Sequence, residues 1–157
     1  MKNRVLHEYI ILHSNIRGFR SKKDSLVANE SLVNADLISL NEHGVCGNNK
    51  INIENYVTFS KNRTSQKLGG ASLSIKEDEK ENIVKIKEGI DDDEYVIVRN
   101  SSFLPPINFI SYYGEQENRV PKEKVEEKWY RFVSDLAKIK NRNEDVVITA
   151  DMNKHRK

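Results

Sequence analysis

Short apolar runs alternate with polar stretches along the chain, and their spacing predicts an α/β fold. Residues 9–13 and 37–40 are apolar and rich in β-branched side chains, which predicts two buried strands. Between them, residues 22–33 have helical spacing, with Ser21 placed to cap the helix. A strand, a helix and a second strand in this order predict a parallel βαβ unit. We expect the helix to bury Leu26, Val27 and Leu32.

The middle of the chain predicts antiparallel hairpins, because its apolar runs are short and separated by polar loops. These runs are residues 55–60, 71–75, 83–86, 95–98 and 107–112. A long helix then begins near Pro121 and ends at residues 141–143, and a last strand covers residues 146–149. The apolar residues of that helix recur at helical spacing on one face: Val125, Trp129, Phe132, Val133, Leu136 and Ile139. We expect Trp129 to anchor this face in the core.

Polar side chains stand where the predicted strands end. They are Asn15, Glu42, Tyr113, Asp151 and Asn153. Turn and cap chemistry explains any one of them, since Asn and Asp readily accept local backbone hydrogen bonds. Five at successive strand ends predict a shared cleft, because α/β folds place their active sites at the carboxyl ends of strands.

Two carboxylates, two amides and a phenol suit metal-assisted hydrolysis of a phosphodiester. Glu42 can hold Mg²⁺, which binds through one or two carboxylates and takes its other ligands from water and substrate phosphates. Asp151 can orient and deprotonate a water for in-line attack on phosphorus. Asn15, Asn153 and Tyr113 can donate hydrogen bonds to phosphoryl oxygens as charge develops.

Five motifs in order along nearly the whole chain resemble those of the endonuclease/exonuclease/phosphatase superfamily, the DNase I-like nucleases. The resemblance is closest to the endonuclease domain of non-LTR (LINE-type) retrotransposons. It implies a DNase I-like two-sheet α/β sandwich with mixed, mostly antiparallel strands. The motifs are SNIRGF (14–19), DLISLNE (36–42), LGGASLSI (68–75), INFISYYG (107–114) and VVITADMN (146–153).

The resemblance also implies a role for each polar residue. Glu42 and Asn15 match the metal site, which takes Mg²⁺ or, as an alternative, Mn²⁺. Tyr113 matches the tyrosine that stabilises the pentacovalent transition state. Asp151 matches the aspartate that activates water, and Asn153 the asparagine that holds the phosphate. The implied activity is DNA nicking by a retroelement endonuclease, and Gly69 and Gly70 match a turn that starts a strand.

The chain departs from the family pattern at several places. Ala150 and Met152 stand where the family has Gly and Phe, and Arg17 stands where some members carry an acidic ligand. The family's late Ser-Asp-His-like motif, which completes the metal site and contacts the phosphate, has no counterpart in the sequence. We therefore expect residues 1–157 to be a single domain that is incomplete at its C-terminus, truncated after the Asp-Met-Asn motif, and inactive by itself.

Charge changes this picture only locally. The 26 Lys and Arg residues against 24 Asp and Glu give a net charge of +2, so no global field holds nucleic acid. Basic clusters nevertheless lie near the proposed catalytic edge, and both DNA contacts and ordinary surface explain them. We assign the DNA contacts to Arg17, Arg20, Arg63 and Lys67.

The expected partners are DNA as substrate and, in a full-length polyprotein, a reverse transcriptase domain. The sequence has no signal peptide and no apolar run of membrane-spanning length, so we expect an intracellular protein that is nuclear if active, with no membrane partner. Two other functions stay open. One is hydrolysis of a phosphoinositide or another small phosphoester on the same fold. The other is a non-catalytic remnant that binds nucleic acid or protein.

Overall fold

The computed structural model describes residues 8–29, 34–63, 69–114 and 121–152. Within these ranges, neither α-helix combines the length and apolar composition needed to cross a bilayer. The helices are α1 (Phe19–Val27), α2 (Lys122–Lys140) and one 3-10 helix (Glu77–Asn82). The strands are β1 (Ile11–Asn15), β2 (Leu37–Asn41), β3 (Tyr56–Lys61), β4 (Ala71–Lys76), β5 (Ile83–Glu88), β6 (Tyr95–Asn100), β7 (Ile107–Tyr113) and β8 (Asp145–Asp151).

The strands form two four-stranded sheets with the orders β1-β2-β4-β3 and β5-β6-β7-β8. β1 and β2, which follow each other in the chain with α1 between them, pair in parallel, and this confirms the predicted βαβ unit. The predicted antiparallel pairing is also confirmed, because β3 pairs with β4 and β6 pairs with both β5 and β7 in this way. β7 and β8 form a second parallel pair. Each sheet therefore carries one parallel pair at one end.

Three apolar clusters hold the layers together. Successive strand residues point to opposite faces of a sheet, so Leu37 packs between the two sheets while Ile38 packs against α1. In the second sheet, Phe109 packs between the sheets and Ile110 packs under α2 with Phe132. The order of layers is α1, first sheet, second sheet, α2. This is the predicted two-sheet α/β sandwich.

The first helix begins three residues earlier than predicted, at Phe19. Ser21 therefore lies inside the first turn, where its hydroxyl donates to the Gly18 carbonyl at 3.3 Å, and the prediction that it caps the helix is wrong. Phe19 supplies the buried side chain of this helix, whereas Val27 is 45% exposed, contrary to prediction. Leu32 lies outside the described residues.

The second helix begins directly after Pro121, as predicted, but its buried stripe includes a charge. Phe132, Asp135 and Ile139 are buried. Asp135 accepts hydrogen bonds from the Tyr95 hydroxyl and, at 2.8 Å, from Lys87 Nζ, and these partners offset the cost of its burial. Trp129 is 42% exposed, although its ring packs against that of Phe132. The prediction that Trp129 anchors the core is therefore wrong.

Neighbouring positions on this helix test the buried stripe. Replacing Phe132 by Ala removes a side chain that is 2% exposed, and we expect a loss of about 3 kcal/mol in the free energy of unfolding. Val133→Ala, at a residue that is 39% exposed, should cost about 0.5 kcal/mol. Urea denaturation followed by circular dichroism measures both. Equal losses would contradict the assigned helix orientation.

Candidate active site

The described strands bring four of the five predicted site residues to one edge of the sandwich. Asn15 ends β1, and its register partner in β2 is Asn41, which directly precedes Glu42. Tyr113 ends β7 in register with Asp151, which ends β8. Parallel pairing places the carboxyl ends of paired strands side by side, so each sheet contributes two site residues. The fifth residue, Asn153, lies outside the described residues.

Two side-chain hydrogen bonds connect the sheets at this edge. Asn15 Nδ2 donates to Asp151 Oδ2 at 2.6 Å, which joins β1 to β8. The Tyr113 hydroxyl donates to Glu42 Oε1 at 2.6 Å in a buried contact. Each carboxylate is therefore oriented by a neutral donor from the opposite sheet. This pairing brings together residues that are 136 and 71 positions apart in the sequence.

The interface beneath these two bonds is polar. Ser39 Oγ donates to Ser111 Oγ at 2.9 Å, and Thr149 Oγ1 donates to Ser39 Oγ at 2.7 Å. Asn41 Nδ2 reaches the same Ser111 Oγ at 3.2 Å, while Asn41 Oδ1 lies 2.8 Å from His13 Nε2. Hydroxyl and amide groups thus replace apolar packing next to the site, and they satisfy one another by hydrogen bonds where they are buried or partly buried.

Sequence reasoning missed this polar row. Three of its residues stand two positions before a predicted site residue: His13 before Asn15, Ser111 before Tyr113 and Thr149 before Asp151. Strand side chains alternate with period two, so each pair faces the same side of its sheet. A polar residue two positions before a candidate site residue in several strands is the signal that would have found the row.

The backbone at Glu42 turns sharply at the end of β2. Its φ of 54° lies in the left-handed region, which non-glycine residues seldom occupy. Two hydrogen bonds hold this conformation, one from Gly18 N–H to the Glu42 carbonyl at 2.8 Å and one from Glu42 N–H to the Gly70 carbonyl at 3.0 Å. Hydrogen bonds at both its N–H and its carbonyl therefore fix the main chain of Glu42, the candidate metal ligand.

Gly69 and Gly70 precede β4, as predicted, and allow a close approach of main chain to side chains. Their φ values are 155° and 96°. A Cβ at Gly70 would lie 2.3 Å from His43 Cε1, and a Cβ at Gly69 would lie 2.6 Å from Glu94 Oε1. No larger residue fits either position without a shift of its neighbours.

His43, which follows Glu42, is a buried supporting residue. Its Nδ1 accepts the Val45 N–H at 3.0 Å, so the ring proton resides on Nε2, which lies 3.2 Å from Ser60 Oγ and 3.3 Å from the Lys61 carbonyl. Burial lowers the pKa of His43 from 6.5 to about 4. The imidazole is therefore neutral at physiological pH and secures the loop that follows the site.

The four residues predicted to contact DNA lie in different settings. Arg17 and Arg20 are exposed at the start of α1, close in sequence to Asn15. Arg63 is mostly buried, with a side chain that is 12% exposed and Nε 2.7 Å from Glu94 Oε1. Lys67 lies outside the described residues. Their assignment to DNA binding stays a prediction.

The donor atoms at this edge fit a hard cation. Glu42 and Asp151 supply carboxylates, and Asn15, whose Nδ2 donates to Asp151, has its amide oxygen available as an acceptor. The described residues contain no group of three or more His, Cys, Asp or Glu placed to hold a metal ion. Mg²⁺ needs only one or two protein carboxylates, because water and phosphate fill its other positions. Glu42 is the residue that would hold it.

Comparison with known proteins relates this architecture to nucleases. No protein-family model and no curated protein sequence matches the chain. Among solved structures, the endonuclease domain of TRAS1, a telomere-specific non-LTR retrotransposon, superposes with a TM-score of 0.64 over 95% of this chain at 14% sequence identity. The chain has a DNase I-like fold. The resemblance predicted from the five motifs is thereby confirmed at the level of fold.

Two further solved structures share this fold. The catalytic domain of Xenopus laevis APE2 matches 93% of this chain with a TM-score of 0.62 and 15% identity. An AP endonuclease from Archaeoglobus fulgidus matches 91% with a TM-score of 0.58 and 18% identity. The chain spans 61%, 59% and 56% of the TRAS1, APE2 and archaeal chains, respectively.

The lowered pKa of His43 makes stability depend on pH. The unfolded chain protonates this imidazole below pH 6.5, whereas the folded chain resists protonation down to about pH 4. Stability is therefore full above the unfolded pKa and falls as the pH decreases. We expect the free energy of unfolding to drop by about 2 kcal/mol between pH 7 and pH 5 through this group. Urea denaturation at both pH values should show a smaller drop in His43→Asn, and an identical drop would contradict the assignment.

The close approach at Gly70 is tested against a glycine in open space. Gly70→Ala forces a Cβ into the His43 ring, and we expect a loss of about 3 kcal/mol in the free energy of unfolding. Gly47 has a φ of 61° but no atom within 4 Å of an added Cβ, so Gly47→Ala should cost only about 1 kcal/mol of backbone strain. Denaturant midpoints compare the two. Similar losses would show that the ring contact is unimportant.

Proposed function

We propose that the chain is part of a metal-dependent phosphodiesterase, a DNA-nicking endonuclease of the retroelement type. The observation that supports this best is the pair of inter-sheet hydrogen bonds, Asn15 to Asp151 and Tyr113 to Glu42, at one edge of a DNase I-like sandwich. They bring two oriented carboxylates and two neutral side chains to one edge of the sandwich, and this supports the proposal.

Asp151 is the proposed general base. Asn15 holds Asp151 Oδ2, which fixes the plane of the carboxylate. A carboxylate with a fixed orientation can direct a water toward phosphorus and accept its proton as the new P–O bond forms and the bond to the leaving oxygen breaks. Asn153, which follows the last described residue, is proposed to hold the phosphate.

Glu42 and Tyr113 form the proposed electrophilic side of the site. Glu42 holds the cation, Mg²⁺ or Mn²⁺, with Asn15 as a further oxygen donor. When bound, such an ion neutralises charge that builds on the phosphoryl oxygens. The Tyr113 hydroxyl keeps the Glu42 carboxylate in position. We propose that it turns its donor toward a phosphoryl oxygen during the reaction.

DNA is the proposed substrate because Arg17 and Arg20, two exposed cations, follow Asn15 closely in the sequence and could contact a polyanion. Arg63 and Lys67 are proposed as further contacts. A small phosphoester would need no basic residues outside the catalytic site. A reverse transcriptase domain in the same polyprotein, and a nuclear location, belong to this proposal.

A longer polypeptide is proposed to complete the domain. In the described part of the chain, β1 and β8 are outer strands that pair on one side only, and both carry site residues. The chain spans 61% of the TRAS1 domain. We propose that further strands continue both sheets and bring the acid and histidine of the family's last motif, without which the 157 residues are inactive.

Plasmid nicking tests this function. We expect a chain extended to the length of the retrotransposon domain to nick supercoiled DNA with Mg²⁺, and Asp151→Asn and Glu42→Gln each to lower the rate about 1,000-fold. Asp145→Asn is the matched control, because Asp145 is an exposed carboxylate at the opposite end of β8. Equal rates for Asp151→Asn and Asp145→Asn would reject the assignment. Clear nicking by residues 1–157 alone would reject the need for completion.

A further inference from the structure

A closed ring of four hydrogen bonds runs through Glu42, Gly70, Glu94 and Tyr113, called here the site ring. Glu42 N–H donates to the Gly70 carbonyl at 3.0 Å, and Gly70 N–H donates to Glu94 Oε1 at 3.2 Å. Tyr113 N–H donates to the Glu94 carbonyl at 2.9 Å. The Tyr113 hydroxyl closes the ring on Glu42 Oε1 at 2.6 Å. We propose that Glu94 is a positioning residue for the Glu42–Tyr113 pair.

Glu94 connects the two sheets because its side chain and its main chain bind different ones. Its carboxylate holds Gly70, which leads into β4 of the first sheet, and its carbonyl holds Tyr113 of β7 in the second sheet. Glu94 itself directly precedes β6. A displacement of its carboxylate moves Gly70, and with it the main chain of Glu42, relative to the Tyr113 hydroxyl. The 2.6 Å contact between the two catalytic side chains therefore depends on the reach of the Glu94 side chain.

A buried carboxylate requires a compensating charge, and Arg63 supplies it. Glu94 is 4% exposed, and Arg63 Nε lies 2.7 Å from its Oε1. The same oxygen thus serves Arg63 and Gly70. Gly69 makes room for this arrangement, since a Cβ there would lie 2.6 Å from Glu94 Oε1 and 2.6 Å from Arg63 Cδ. Arg63 consequently has a task in the site ring apart from any contact with DNA.

The neighbouring acid provides an internal comparison. Asp93 is 3% exposed and also binds an arginine, with Arg131 Nε at 2.6 Å from Asp93 Oδ2. Arg131 belongs to α2, so this pair attaches the helix to the second sheet and does not enter the site ring. Both acids are buried and paired with an arginine, but only Glu94 accepts a hydrogen bond from Gly70 in the site ring.

Two substitutions at position 94 separate reach from charge. Glu94→Asp keeps the charge for Arg63 but withdraws the acceptor from Gly70 by one methylene. Glu94→Gln keeps an oxygen at the same reach and loses the charge. Amide hydrogen exchange of the 157-residue chain, followed by NMR, should show about tenfold faster exchange at Gly70 and Glu42 in Glu94→Asp, as expected for one lost hydrogen bond to a charged group. Glu94→Gln removes the charge that pairs with Arg63 and lowers global stability, so the exchange of Gly70 and Glu42 is compared with that of the β6 amides in the same variant. On that scale, Glu94→Gln should leave the two amides close to the unsubstituted chain.

The same exchange measurement provides the control and identifies the results that would overturn the proposal. Asp93→Asn should change exchange in α2 and leave the amides of Gly70 and Glu42 unaltered. Faster exchange at these amides in Glu94→Gln than in Glu94→Asp would overturn the proposal, because it would show that Glu94 acts only as a charge partner of Arg63. Unchanged exchange in both variants would overturn it as well.

The catalytic meaning of the site ring rests on the proposed function, and a kinetic measurement tests it separately. In the extended chain, Glu94→Asp should lower kcat for plasmid nicking about 100-fold with little change in KM, because it misplaces catalytic groups and removes no contact with substrate. Glu94→Gln should retain most of kcat. A raised KM with normal kcat would contradict positioning. If the unsubstituted extended chain does not nick, the proposed function fails, while the exchange result still decides the ring.

Discussion

The rest of the structure depends on how the two sheets pack face to face. The strands at this interface are apolar at one end and polar at the other. At one level, Leu37 and Phe109 bury apolar surface between the sheets. Two residues further along each strand, Ser39 and Ser111 hydrogen-bond across the same interface. The strand ends then present polar side chains to each other. Burial at one end thus provides the fixed spacing that lets polar groups meet at the other.

Polar groups near the site are ordered because each is satisfied by a partner from another element. Donors from the opposite sheet orient the carboxylates of Glu42 and Asp151, and main-chain hydrogen bonds hold the left-handed backbone at Glu42. Neutral His43 supports the loop behind it, since burial leaves the imidazole uncharged. Side chains held in this way are preorganised, which is the condition for the electrostatic stabilisation that the proposed phosphodiester hydrolysis would need.

Buried charge also attaches a helix, away from the candidate site. Asp135 of α2 bonds to Tyr95 and Lys87, and Asp93, in the loop before β6, bonds to Arg131 of α2. Apolar spacing alone placed Trp129 in the core and overlooked Asp135. The helix takes the orientation that satisfies Asp135 and Asp93 while burying Phe132, which leaves Trp129 at the rim. Helical periodicity predicts that a face is buried, but partners on the sheet choose between neighbouring stripes.

The order and type of most elements could be predicted from the sequence, and so could four residues that meet at one edge of the sandwich. Strands could be located because apolar alternation is a local property, and Asn15, Glu42, Tyr113 and Asp151 could be singled out because each stands at a strand end. The start of α1 was displaced because Phe19 pairs its N–H with the His43 carbonyl, a contact that local patterns do not contain. Local patterns could not predict which donor binds which carboxylate, that Ser39, Ser111 and Thr149 form one row, or that Glu94 lies beside Gly70. These are contacts between distant parts of the chain, and their geometry follows from how two sheets pack.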